Sequence, residues 1–142
     1  MSVTTVMYSN FPLKALTALI SDFSASSKIK CMLCTSSYTP NQETHTVKTD
    51  VTNEVTGTGY SAGGAYLTSP TVTEATKATK FDAADVAWAS STITARYAVL
   101  YDDAAANDPL ILYVNFGADV ASTNGTFTVQ WDDSGIFTVT VP

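Results

Sequence analysis

The sequence predicts a mainly β protein, an antiparallel β-sandwich of jelly-roll-like type with one short N-terminal helix. Three observations predict it. From residue 65 onward, apolar and polar residues alternate in one segment after another, the period-two pattern of half-buried strands. The links between the later segments, "YDDAAANDP", "ADVASTNG" and "WDDSG", are acidic or glycine turns at the short spacing of a sandwich or jelly roll. Helix–strand alternation is absent, which argues against a parallel sheet. A chain of 142 residues fits one domain, 1–142, with a sizeable core and no need of covalent staples.

Residues 2–8 read as a short strand or an extended arm, with 1–10 as an arm able to reach a neighbour. Pro12 suits the first turn of a helix, and Leu13, Leu16, Leu19 or Ile20, and Phe23 follow at helical spacing. That predicts an amphipathic helix over 12–21. In 28–35, Ile29, Cys31 and Leu33 alternate with Lys28, Lys30 and Met32, which predicts a strand. Residues 36–66 are rich in Thr, Asn, Gly and Ser without sustained periodicity. Loops that long are usually functional or packed down locally.

Short strands are expected at 65–68, 70–76, 78–81 and 86–88, and longer ones at 92–101, 110–116 and 126–132. Ile93, Ala95, Tyr97, Val99 and Tyr101 should share one face of the first of these, with Tyr97 and Trp131 in the core. A last strand is expected at 135–141. Asn124-Gly125 and Ser134-Gly135 are turn signals, and the Asp132–Gly135 link reads as a hairpin joining Trp131 to Phe137.

Charge narrows the function classes. Only 14% of residues are charged, against about 25% on average, and the net charge is −6. So acidic a chain lacks the footprint for phosphate backbones and is repelled by anionic membranes. No apolar run approaches the roughly 20 residues of a membrane helix. The apolar stretch Phe11–Phe23 is broken by Lys14, Thr17 and Asp22 and has no basic leader. The mature protein is therefore expected to start near Met1 and to be made in a cytoplasm.

Residues 57–64, "GTGYSAGG", fit two catalytic patterns. Gly59-Tyr60-Ser61-Ala62-Gly63 matches a nucleophile elbow, which needs a buried strand before the serine and a helix after it. Gly57-Thr58-Gly59-Tyr60-Ser61-Ala62 matches a dinucleotide turn, which must open a helix. The flanks "TDVTNEVT" and "GGAYLTSPT" supply neither. The one histidine, His45, also precedes Ser61, against the hydrolase order. A glycine-rich surface loop, ending near Ala65 and pinned by Tyr60 and Tyr66 to the sandwich or to a neighbouring subunit, is the better reading.

Cys31 and Cys34 form a C-x-x-C. Zinc needs about four ligands, and a redox pair sits at a helix N-terminus. Strand residues three apart face opposite sides, so two reduced packing cysteines are expected. His45, in a polar loop, reads as solvated. Asp102, Asp103, Asp108, Asp132 and Asp133 could supply calcium oxygens, but Asp also favours turns. Tyr8, Tyr38, Tyr60 and Tyr66 are the aromatic candidates for contact with a sugar or a protein, unless they pin the loop to its own domain. No catalytic, cofactor or metal residue is assigned, and no enzyme activity is expected.

Four phrases carry a resemblance: "IKCMLCTSSYTPNQETH", "DVTNEVTGTGYSAGGAYL", "FDAADVAWASSTITARYAVLYDD" and "LILYVNFGADVASTNGTFTVQWDDSGIFTVTV". From about Ile29 to Val141 the chain resembles a family of small virion structural proteins of tailed bacteriophages. The resemblance implies a capsid decoration, or cement, protein. Such a protein would bind the outer face of the head, on the capsid exterior, after assembly in the bacterial cytoplasm. Its partners would be the major capsid protein and itself, as a homo-oligomer such as a dimer or trimer, with no cofactor, nucleic acid or membrane. A tail, fibre or baseplate component, including a glycan-binding one, is the alternative.

Overall fold

The computed structural model describes residues 3–142. The chain is mainly β, with two antiparallel sheets and one short helix, as the alternation predicts. Its elements are β1 (Thr4–Met7), α1 (Phe11–Leu16), β2 (Ile29–Cys34), β3 (Ala65–Tyr66), β4 (Thr71–Ala75), β5 (Ala78–Asp82), β6 (Val86–Asp102), β7 (Leu110–Val129) and β8 (Phe137–Thr140). The larger sheet has the order β1-β7-β6-β2-β3 and the smaller β4-β5-β8.

The central part of the larger sheet, around β2 and the adjoining ends of β6 and β7, is buried on both faces. One face meets α1 and the smaller sheet through Leu33, Trp88, Ile93, Leu112, Phe127 and Phe81. The long loop covers the other face, around Tyr38, Met32, Val99, Tyr101 and Leu110. This is why β2 reads Ile-Lys-Cys-Met-Leu-Cys, with five of its six residues buried. Cys31 and Leu33 enter one core and Met32 and Cys34 the other, so the cysteines face opposite sides as expected.

The expected strands 86–88 and 92–101 are one strand, and so are 110–116 and 126–132. The intervening turn residues make bulges inside a continuous ladder. Ser90 and Asn124 take positive φ (50° and 47°), yet Ser91 still pairs with Gly125. The largest irregularity sets Arg96 against four residues, because Ala95 pairs with Val120 but Tyr97 with Asn115. Arg96 donates from Nε to Asn115 Oδ1 (3.2 Å) and lies 3.7 Å from an Asp119 carboxylate oxygen. Gly117 turns through the bulge at φ +81°.

A bulge of this kind reverses strand parity. Ile93 and Ala95 share a core with Ala98 and Leu100, whereas Tyr97, Val99 and Tyr101 face the other way. The expected single face for Ile93 through Tyr101 is thus corrected. Trp131 is buried as expected, while Tyr97 is only half-buried.

α1 is shorter than the expected 12–21. Ala18 adopts φ +56°, its N–H donates to Ala15 O, and the Leu19 N–H donates to Lys14 O, the two bonds of a Schellman stop. Phe11 is buried against Phe23 and Phe137, at ring distances of 5.7 and 5.9 Å. Leu13, Leu16 and Leu19, expected on the core face, are exposed.

β4 and β5 form a hairpin whose turn, Thr76-Lys77, has both φ positive (52° and 63°), as a two-residue hairpin demands. The expected hairpin across Asp132–Gly135 does not form. β8 pairs with β5, so residues 132–136 are a corner between sheets. Asp132 Oδ1 accepts from the Ser134 N–H (2.8 Å) and hydroxyl (2.6 Å) there, and that local turn supplied the hairpin signal.

Candidate contact surface

The glycine octapeptide is a structural clasp. Gly57 and Gly59 lie against the backbone of Ser90–Thr92, and Gly64 against Cys31. Glu54 Oε1 accepts from the Tyr60 hydroxyl (2.7 Å) and from the Gly63 N–H (2.6 Å). The Tyr60 oxygen accepts from the Leu33 N–H (3.0 Å), and the Tyr101 hydroxyl donates to Gly63 O (2.6 Å). Burial, with Glu54 next to it, pushes the Tyr60 phenol far above its ordinary range. Ser61 is exposed in a turn with no strand before it and no helix after it.

His45 is not the freely solvated residue expected. Its ring stacks on Tyr38, and its Nδ1 lies 3.0 Å from the Tyr38 hydroxyl, which in turn lies 2.8 Å from that of Tyr8. This chain of polar groups fastens the loop to the end of β1. Tyr8 and Tyr38 are buried and Tyr60 half-buried, so three of the four contact candidates pin the molecule to itself. Tyr66 keeps an exposed edge while its hydroxyl donates to Asp103 and Lys30 lies over its ring.

The acidic pair at the end of β6, Asp102 and Asp103, is likewise occupied. Asp102 is fully buried and accepts from Ser21, Ala104 and Ala105. Asp103 lies 3.4 Å from Lys30. Among the described residues, no three His, Cys, Asp or Glu side chains gather as a metal would require. The cysteines are free and buried. Burial raises the Cys31 thiol and pushes Cys34 up to about 12, which disfavours the thiolate that redox chemistry uses.

Two surface features remain. The first is an apolar crest on α1 and its exit, where Leu13, Leu16 and Leu19 are 57%, 87% and 56% exposed. Sequence periodicity places these leucines on the core face, whereas α1 buries only Phe11 and the Schellman stop at Ala18 ends the helix before Leu19. The second is a cleft of about 650 Å³ between β1 and the 132–136 corner. Val3, Thr5 and Phe116 line one side and Trp131, Asp132 and Asp133 another. The sequence offered one trace of it, a charge-free run from residue 1 to residue 13.

No family model matches the chain, and neither a curated protein nor a solved structure matches it.

Proposed function

We propose that the protein is a structural component of a tailed-bacteriophage virion, a capsid decoration protein that binds the outer head and braces neighbouring capsomers. The observation that carries this reading is the leucine crest. A chain of net charge −6 displays three leucines in solvent, two on a six-residue helix and one at its exit, and clustered exposed apolar side chains mark contact with another macromolecule. The resemblance of the four long phrases supports the choice of partner, the major capsid protein. The pinned loop supports a scaffolding role, because its glycines, tyrosines and Glu54 are spent on internal contacts.

Protein quantification in purified particles tests the placement. A head decoration protein is expected at a copy number comparable with the major capsid protein. A copy number set by one vertex or by the tail would move the chain to a tail or baseplate role.

A further inference from the structure

We propose that the outer edge of β1 and the adjoining cleft form a strand-addition site for an extended segment of another protein, apolar at alternate positions and carrying a lysine or arginine. The proposal does not depend on where in a particle the chain sits.

The Tyr8 N–H donates to Ile111 O, and β1 pairs with β7 from Thr4↔Asn115 to Met7↔Leu112. Antiparallel alternation then turns Thr4 and Val6 toward β7, and the N–H and C=O groups of Thr5 and Met7 outward. Gln42 confirms the direction, since its Nε2 donates to Met7 O (2.8 Å). That side chain closes one end of the edge and, among the described residues, leaves the Thr5 groups and the Met7 N–H open. Natural edges are usually guarded by charges, proline or bulges, and Thr4–Met7 has none of these.

The cleft lies beside this edge. Thr5 stands opposite Val114, and both line it together with Val3 and Phe116. An added strand would therefore extend the sheet while alternate side chains enter the cleft. Trp131 forms part of the lining and is nine-tenths buried, so an occupant of the cleft would pack against its indole.

Charge selects the occupant. Asp132 and Asp133 are exposed at the rim, and among the described residues neither has a cationic partner within 4 Å. A second copy of β1 carries no charge to answer them, and antiparallel β1–β1 pairing about a two-fold axis normal to the sheet would put two acidic rims on one face. A basic, alternately apolar strand answers both features.

The probe is the synthetic peptide acetyl-Lys-Val-Thr-Val-Thr-Lys-amide, titrated into the full chain and followed by amide NMR and hydrogen exchange. Shifts and added protection are expected at the Thr5 and Met7 amides and the Trp131 indole. Thr5→Pro removes an outward N–H together with the Thr5 side chain and leaves the β7 ladder bonds in place, a change edge strands tolerate, and should weaken binding about tenfold. Asp133→Lys should weaken it about threefold, and glutamates in place of the peptide lysines should do the same. Should Thr5→Pro not fold, exchange at Thr5 in the wild-type chain, with and without peptide, decides alone. Unchanged amides, equal binding by Thr5→Pro, or a free protein already dimeric with Thr5 protected would overturn the proposal.

Discussion

The Asp102 carboxylate at the end of β6 holds Ser21 across 81 positions of sequence, accepting from the Ser21 N–H with one oxygen and from its hydroxyl with the other (2.9 Å). The second oxygen also accepts from the Ala104 and Ala105 amides. One buried carboxylate thus ties the exit of α1 to the β6–β7 turn. Asp102→Ala would leave several donors without an acceptor, and is expected to cost about 3 kcal/mol. Ser21→Ala should cost about 1 kcal/mol. The double variant should lose less than the sum in urea denaturation, because the residues share one network. Strict additivity would show that the bonds do not act together.

Two glycines should respond in opposite ways. Gly64 sits at φ +78°, and a Cβ there would lie 1.9 Å from Cys31 O. Gly64→Ala should therefore lose at least about 3 kcal/mol, since the colliding atom is sheet backbone. Gly125 lies within β7, and its nearest neighbour to an added Cβ is Thr123 O at 3.6 Å. Gly125→Ala should fall between neutral and about 0.5 kcal/mol more stable. Thermal unfolding of both variants checks the contrast, and equal losses would contradict it.

That contrast shows where the sequence was legible. Alternation within 28–35, 70–76 and 78–81 located β2, β4 and β5 closely, because each pattern is complete within a few residues. Asn124-Gly125 looked like a turn because a bulge asks for the same backbone angles as a turn, and only the partner strand tells them apart. Residue 18 is an alanine, so the usual glycine signal of a helix stop was missing and α1 was expected to run on. The partner of β8 was hidden for a similar reason. Asp132–Gly135 is a genuine local turn, while pairing with β5 is decided by Phe137 packing on Phe81 and Phe11. The cleft combines β1, β7 and the 132–136 corner, and no local pattern relates them.

The buried phenols predict loss of stability at high pH. Burial raises Tyr8, Tyr60 and Tyr101 well above their ordinary value, and pushes Tyr38 up to about 12. The unfolded chain ionises these groups near 10, while the fold keeps them neutral. Their contribution is fully present below pH 10 and is lost as pH rises toward and through the folded values. Each group removes up to about 1.4 kcal/mol per pH unit across that window. Urea midpoints measured against pH should fall from about pH 10 upward. Tyr8→Phe should make the fall shallower, and a flat profile to about pH 12 would contradict the assignment.

Cys31 and Cys34 lie in opposite cores of one strand. Neither thiol should react with a disulfide reagent in the folded protein, and both should react on unfolding. Labelling in increasing urea should therefore follow the unfolding curve. Modification of either thiol well before that transition would show that one core opens locally.

The leucine crest separates binding from folding. Leu16 is 87% exposed, so Leu16→Glu should change stability by no more than about 0.5 kcal/mol. If the crest is the contact surface, the same change introduces a charge at an apolar interface and should reduce co-sedimentation with purified heads by at least tenfold, roughly 1.4 kcal/mol. Leu13→Glu should act in the same direction. Phe11→Ala serves as the opposite control. Phe11 anchors the helix against Phe23 and Phe137, and truncating it should cost about 3 kcal/mol along with any binding. Full head binding by Leu16→Glu and Leu13→Glu, with unfolding curves like that of the parent, would move the contact surface away from α1.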